Sequence, residues 1–395
     1  MADIRKHHAT LTALPPLNAG FDQSAVSKIA PSSITSPARR TAPRHFLKVA
    51  ALLHIYSIKP VRCAMPDSTE STEDRLIARH FRPLAKNPGA FGLVDDAAVI
   101  APPAGCDVVL TTDGVIAGVH VFAEDAPGDV ARKALRMNLS DLAAKGATPL
   151  GFLISLALPG SIDDAWLAAF AAGLGADAER YGCPLLGGDT DRTPGPLSVS
   201  IAAFGAVPHG KMVRRATAKA GDRIVLSGTI GDAALGVKLR RDEGLAKRWR
   251  LSDAMAAHLR ERYLLPQPRN ALAGAVLQNA SAAIDVSDGL AGDLAKLCRA
   301  SGVAAEIAVA RIPLSDAVRA AVAADPAILE TALSGGDDYE IVATLPADKL
   351  ATFNAAAHAA GVSVHEIGRI AAGEGARFVR DGQALAFAQP SYSHF

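Results

Sequence analysis

From residue 91 onward, short apolar runs of strand length alternate with Ala- and Leu-rich segments of helix length, and several of the apolar runs are followed by hydroxyls, glycines and aspartates. A chain that switches hydrophobic period in this way builds sheets covered by helices, so the expected fold class is α/β, shading into α+β. The clearest case is Asp107-Val108-Val109-Leu110, which runs into Thr111-Thr112-Asp113 and then Gly114-Val115-Ile116-Ala117-Gly118-Val119-His120. It reads as a buried strand that stops in two hydroxyls and a carboxylate, hard oxygen ligands of the kind Mg²⁺ takes. The glycines and histidine beyond suit a turn approaching an anion. A strand ending in a solvated Thr-Asp turn would look the same.

Taken in order, Asp67-Ser68-Thr69-Glu70 supplies capping chemistry for a helix through Leu76, Ile77 and Phe81. Asp95-Asp96 precedes a strand-like Ala97-Ala98-Val99-Ile100. A helix is expected over 129–145, started by Gly128-Asp129 and stopped by Gly146, with Leu135, Leu139 and Leu142 as its apolar stripe. Asn138 and Asp141, three apart, share the neighbouring face. Then follow a strand over 150–158, an Ala-rich helix over 163–181, and Pro184-Leu185-Leu186 as a strand ending in Gly187-Gly188-Asp189-Thr190-Asp191. Another strand covers 197–205, and a Pro/Gly/basic connector at 207–221 marks a domain boundary. The second half restarts at 223–226, passes through the strand 282–286 with Asp285-Val286-Ser287-Asp288-Gly289, and reaches Ser334-Gly335-Gly336-Asp337-Asp338-Tyr339-Glu340 before a strand at 341–344.

Charge bears on partners. The net charge is +1 over 395 residues, but residues 1–64 hold nine Lys/Arg and two acidic residues. The rest carries 32 Lys/Arg against 38 Asp/Glu, a net −6. That balance fits a cation-binding body and gives no reason to expect nucleic acid or a membrane surface as partner. No apolar run reaches the roughly 18 residues of a membrane span. Cys63, Cys106, Cys183 and Cys298 show no metal or disulfide spacing, which predicts a reducing, cytoplasmic setting. Residues 1–64 read as a disordered extension or a mis-assigned start, with the fold beginning near Met65 and two domains, 65–207 and 208–395.

Two familiar motifs fail on chemistry. Gly205-Ala206-Val207-Pro208-His209-Gly210-Lys211-Met212 lacks the hydroxyl a P-loop needs after its lysine, and Gly173-Leu174-Gly175 falls inside a helical pattern rather than after a strand. The collective signal is stronger: Asp96, Thr111, Thr112, Asp113, Asp141, Asp189, Asp285 and Asp288 all sit at apparent strand ends, in turns or on a helix edge. If strand ends of one sheet converge, these groups share a cleft. Two carboxylates at about 4 Å repel by about 4 kcal/mol at an effective dielectric near 20, so such a cluster calls for divalent cations. Scattered turn-forming aspartates remain the alternative. Ser287-Asp288-Gly289 opens a helix whose amides suit phosphate, and Arg214 and Arg215 offer counter-charge. No nucleophile is paired with a base, which leaves direct phosphoryl transfer as the chemistry that needs only positioning and neutralisation.

With these motifs in this order, from about Glu70 to the C-terminus, the chain resembles the thiamine-monophosphate kinases of the aminoimidazole ribonucleotide synthetase superfamily. The resemblance implies a two-domain synthetase-like fold, each domain a mixed sheet packed with helices, and a homodimer formed through the N-terminal domains. It implies transfer from ATP to thiamine monophosphate with several Mg²⁺ ions. By motif, Asp96, Thr111, Thr112, Asp113, Asp141, Asp189, Asp285 and Asp288 would hold metal. Gly188, Asp189, Arg215 and Ser287 would contact ATP, and His120, Asp337 and the position of Gln389 would contact the acceptor.

Three positions depart from the family pattern: Val94 replaces a glycine, Asp337 a glutamate, and Gln389 an aromatic residue. The last two concern acceptor grip. Selenophosphate synthetase would want a reactive cysteine near Lys86, and the hydrogenase maturation protein would end in cysteine; this chain does neither. Another synthetase of the superfamily, or a non-catalytic nucleotide-binding regulator, is the alternative expectation.

Overall fold

The computed structural model describes residues 71–392, which all fall in one compact unit. The expectations for residues 1–64, Cys63 and the run Asp67-Ser68-Thr69-Glu70 lie outside them. The first described helix, α1 (Thr72–Leu76), is opened instead by Ser71, whose Oγ accepts from the Asp74 N–H at 3.0 Å while the Asp74 carboxylate accepts from the Ser71 N–H at 3.2 Å. Beyond it the backbone widens into a π turn, Ile77–Phe81, so the segment is not one regular helix.

The first lobe is a four-stranded sheet of β1 (Cys106–Ile116), β2 (Thr148–Pro159), β3 (Leu185–Thr193) and β4 (Ser198–Pro208), in the order β1-β4-β2-β3. Strand β3 runs parallel to β2 and the other pairs are antiparallel. Helices α2 (Pro127–Ala144) and α3 (Asp164–Arg180) cover one face. There Val109 and Val115 of β1, Ile154, Leu156 and Leu158 of β2, and Val199 and Ile201 of β4 pack with Leu135, Leu139 and Leu142 of α2 and Phe170 and Leu174 of α3. Each such side chain contributes about 1.5–3 kcal/mol on full burial.

Several sequence expectations are corrected in this lobe. Strand β1 does not stop at Thr111-Thr112-Asp113; it continues to Ile116 because Asp113 through Ile116 stay in register with Ile201 through Ser198. Nor is it a buried strand. It lies at a sheet edge with one face open, and Leu110 is 67% exposed. Asp189 likewise sits inside β3 rather than beyond its end. Ala97-Ala98-Val99-Ile100 forms no strand, although the Val99 N–H does donate to the Gly89 carbonyl at 2.9 Å. Helix α2 starts at Pro127, not at Gly128-Asp129, since the fixed φ of proline suits the first helical position. Its end is as expected: Gly146, at φ +70°, and Ala147 donate back to Ala143 and Leu142, a Schellman closure.

The second lobe is a seven-stranded sheet of β5 (Arg223–Ser227), β6 (Ala282–Asp285), β7 (Ala304–Ala308), β8 (Ile341–Leu345), β9 (Val364–Ala371), β10 (Gly375–Arg380) and β11 (Gln383–Ala384). The order is β11-β10-β7-β9-β5-β8-β6. Its helices are α4 (Asp232–Arg241), α5 (Gly244–Arg248), α6 (Asp253–Leu264), α7 (Ala273–Asn279), α8 (Leu290–Ser301), α9 (Asp316–Ala324), α10 (Ile328–Ser334) and α11 (Leu350–Ala359). Helices α8 and α10 pack on one face through Leu290, Leu294, Leu329 and Leu333, and α7 and α11 on the other through Val276 and Phe353. Ala143 and Ala144, at the end of α2, join that second cluster. Helix α2 therefore belongs to both lobes, and that sets the geometry of the site.

Candidate active site

One turn of α2 touches both lobes. On one side, Asn138 Oδ1 accepts from the Asp113 N–H at 3.0 Å, and the Asp141 carboxylate accepts a short hydrogen bond from Thr111 Oγ1. On the other, Ser140 Oγ donates to Asp285 Oδ2 at 2.9 Å. The carboxylates thus come from β1 of one sheet, from α2 and from the end of β6 in the other sheet, and not from the ends of a single sheet as the strand reading supposed. Period-2 alternation puts Thr111 and Asp113 on the helix-covered face of β1 and sends Thr112 to the other, where its Oγ1 donates to the Ile201 carbonyl at 3.0 Å.

Asp141, Asp285, Ser287, Asp288 and Asp293 line a cleft of about 510 Å³ together with four basic residues, Lys145, Arg214, Arg215 and Lys296, and with Met212, Ala216 and Ile284. Burial, then the charges of Asp141 and Asp288, pushes the Asp113 carboxyl up to about 7. Burial, then Asp141 and Asp293, holds Asp285 well above the carboxylate range. These acids are desolvated beside like charges and lack enough counter-charge. Nearby, burial pulls the Lys145 ammonium down; its Nζ donates to the Ala283 carbonyl at 3.0 Å. Lys296 pairs with Asp288 and, at 2.8 Å, with Asp293, whose other oxygen accepts from the Asp288 N–H at 2.8 Å.

A second wall adjoins the first. The segment before β8 lies along the β6–α8 turn, with the Asp337 N–H donating to the Ser287 carbonyl and the Tyr339 N–H to that of Val286, both at 2.8 Å. The approach is close enough that a Cβ on Gly336 would meet the Ser287 carbonyl oxygen at 2.3 Å. Asp337 faces α2, where Lys133 Nζ reaches it at 3.0 Å and also reaches the His120 carbonyl at 3.0 Å. The Tyr263 hydroxyl donates to the same carbonyl at 2.9 Å. The neighbours of Asp337 serve the fold. Asp338 is buried and accepts from the Gly231 and Ala233 N–H groups at the start of α4, and Tyr339 packs into the first lobe's core. Glu340 is held by Arg262 at 3.0 Å, by Arg269 and by Ser227.

The structure therefore gathers Thr111, Asp113, Asp141, Asp285, Asp288, Ser287 and Arg215, and sets His120 and Asp337 alongside. It leaves others apart within one chain. Gly188 and Asp189 lie on β3, the sheet edge opposite β1, and Asp96 is exposed in the loop after a 3-10 turn that packs on β3. Gln389 is exposed, although the Tyr392 N–H, three residues on, donates to the Asp288 carbonyl at 3.0 Å. Sequence reasoning missed Lys133, Lys145, Tyr263, Asp293 and Lys296. The one available signal was a lysine, Lys133, set four residues before Met137 on the stripe that α2 buries.

Two family models divide the chain between them: the AIR synthase related protein N-terminal domain matches residues 94–207 and the corresponding C-terminal domain residues 219–381. The thiamine-monophosphate kinase of Caulobacter vibrioides is 43% identical over 335 residues, 84% of this chain and 93% of that protein. Among solved structures, the thiamine-monophosphate kinase of Stenotrophomonas maltophilia is 39% identical with a TM-score of 0.70, covering 79% of this chain and 96% of that one. A ThiL protein complexed with AMPPCP and TMP is 30% identical with a TM-score of 0.65, covering 78% and 97%. The chain belongs to the thiamine-monophosphate kinase family of AIR synthase related proteins. The near P-loop at 205–212 spans the end of β4 and the connector with no helix after it, and Gly173-Leu174-Gly175 lies within α3.

Proposed function

We propose that the chain transfers the γ-phosphoryl group of ATP directly to the phosphate of thiamine monophosphate, yielding thiamine diphosphate and ADP. The observation that carries this is the cleft of about 510 Å³, where Asp141 and the desolvated Asp285 share the lining with Arg214, Arg215 and Lys296, and where Asp141 adds its charge to the desolvated Asp113. The support from relatives is their kinase name and the ThiL complex with AMPPCP and TMP. Arg215 and the Ser287 turn at the start of α8 would bind the polyphosphate, with the N-terminal amides of α8 facing it. His120 and Asp337 would orient the acceptor. No side chain need form a covalent bond, because an in-line transfer between phosphates needs alignment and charge neutralisation.

The donor set fits Mg²⁺. Among the described residues no three His, Cys, Asp or Glu side chains form a cage by themselves, and Mg²⁺ is commonly held by one or two carboxylates together with water and substrate phosphates. Asp113, Asp141 and Asp285, with Thr111, would supply the protein oxygens; Asp288 already has Lys296 as counter-ion. When bound, the metal neutralises charge on the transferring phosphate. Purified protein given ATP, thiamine monophosphate and Mg²⁺ should accumulate thiamine diphosphate. A chromatogram with no such product sinks the reading.

We further read the protein as a cytoplasmic homodimer of chains with lobes at 65–207 and 208–395. The support is the face of the first sheet where Val108, Leu110, Ile116 and Leu153 are exposed, together with two sheet edges, β1 and β3, that are unpaired among the described residues. Two such sheets can close edge to edge, bringing β3 of the partner subunit beside β1. That arrangement accounts for Asp96, Gly188 and Asp189 lying away from Asp113 in one chain. For location, the support is the free thiols of Cys106, Cys183 and Cys298. No helix of the described residues is long and apolar enough to cross a membrane.

A further inference from the structure

Lys133 is a lysine with no exposed surface. Burying an ammonium costs several kcal/mol of hydration, so a position chosen for packing alone would hold Met or Leu. Its three donors are all engaged: the His120 carbonyl at 3.0 Å, Asp337 Oδ2 at 3.0 Å, and the face of the Tyr263 ring, whose centroid lies 3.9 Å away. None is left for a substrate oxygen. What it does is tie together two segments far apart in sequence, the turn at His120 and the run at Asp337. Asp337 sits at φ +72°, in the left-handed region that few residues other than glycine adopt. The His120 turn is closed on itself, the His120 N–H donating to the Ile116 carbonyl at 2.9 Å and the Gly118 N–H to that of Val121 at 2.8 Å, so what Lys133 fixes is where the turn sits against the Asp337 segment.

The histidine is aimed by the same contacts. Its carbonyl takes two hydrogen bonds, from Lys133 and Tyr263, and its Nδ1 accepts from the Ile116 N–H at 3.1 Å. A ring whose Nδ1 accepts carries its proton on Nε2. The tautomer and orientation of His120 are thus set by the backbone that Lys133 pins. The ammonium also offsets the Asp337 carboxylate, which would otherwise repel an incoming phosphate.

We propose that Lys133 is the positioning residue of the acceptor wall, holding His120 and Asp337 in one rigid unit and cancelling the Asp337 charge next to the acceptor phosphate. This rests on the kinase reading above. Lys133→Met keeps the shape and removes the charge. The expected result is a rise of about tenfold or more in KM for thiamine monophosphate with KM for ATP near its wild-type value. In the double variant with Asp337→Asn, acceptor KM should be no worse than in Lys133→Met, because the unpaired carboxylate has gone. Tyr263→Phe, which removes only one bond to the His120 carbonyl and is mild enough to fold, should raise acceptor KM severalfold. An unchanged acceptor KM in both single variants, parallel rises for both substrates, or additive losses in the double variant would overturn the positioning role. Wild-type protein assayed beside them separates the two ideas: turnover with the wrong variant pattern rejects Lys133 alone, while no turnover rejects the kinase reading and the acceptor role together.

Discussion

Asp113 is the residue in which the physics of the cleft is most concentrated. Its folded carboxyl, near 7, lies above the usual value of 3.8, so the folded chain binds more protons than the unfolded chain between those values. Stability from this group is therefore present at low pH and lost as pH rises from about 4 to about 7, a cost on the order of 4 kcal/mol above pH 7. Metal-free protein should melt lower at pH 8 than at pH 5.5, and Mg²⁺ should restore the difference; calorimetric scans at the two values test this. Asp113→Asn removes the penalty with the ligand. It should raise the metal-free melting temperature at pH 8 while lowering Mg²⁺-dependent turnover by on the order of a hundredfold or more, and a variant that keeps wild-type turnover would remove Asp113 from the metal set. Glu340 shows the opposite arrangement, with Arg262, Arg269 and Ser227 all bound to one buried carboxylate. Glu340→Ala strands those guanidinium groups and should cost about 3–5 kcal/mol in urea unfolding.

At the level of elements, α2 decides most. Its first turns pack on the four-stranded sheet and on α3, and its last residues enter the core of the other lobe. The contact with α3 runs through glycine: a Cβ on Gly173 would come within 2.3 Å of the Gly128 carbonyl oxygen. The glycines that imitate a nucleotide fingerprint are explained by this packing, Gly175 likewise lying against Leu84, where an added Cβ would meet Cδ2 at 2.6 Å. Gly173→Ala must push the helices apart. It should destabilise the protein by about 1–3 kcal/mol and, by tilting the helix that carries Asn138 and Asp141, lower turnover as well. A Gly173→Ala protein with unchanged melting and turnover would show that the two helices give way freely.

For the whole molecule, the question is how the residues on β3 reach those beside β1. Two strands, β4 and β2, separate the edges, and the sheet's open face exposes Val108, Leu110, Ile116 and Leu153. If the dimer closes the two sheets, Leu110→Glu places a charge in the interface and should yield monomers in sedimentation. Asp113→Asn and Asp189→Asn proteins, each inactive alone, should recover activity when their subunits are exchanged by mixing, because one site of the mixed dimer then has both aspartates. Mixtures that stay inactive after verified exchange would place Asp113 and Asp189 outside a shared site.

Hydrophobic period was enough to determine alternating strands and helices and the helix carrying Asn138 and Asp141, because those are local properties of side-chain pattern and turn chemistry. Where strands stop was not legible: Thr111-Thr112-Asp113 reads as an end, but β4 continues beside it and supplies the hydrogen bonds that keep β1 extended to Ile116. The division of labour in 337–340 was not legible either, since Asp337 pairs with Lys133 of α2 while Asp338 caps α4 and Glu340 binds two arginines, partners that lie far away in sequence. Only tertiary structure could assign Lys133. A lysine on a helix reads as solvated until the segments carrying His120 and Asp337 fold over it, and it is their convergence on one ammonium, out of water, that gives the charge its task.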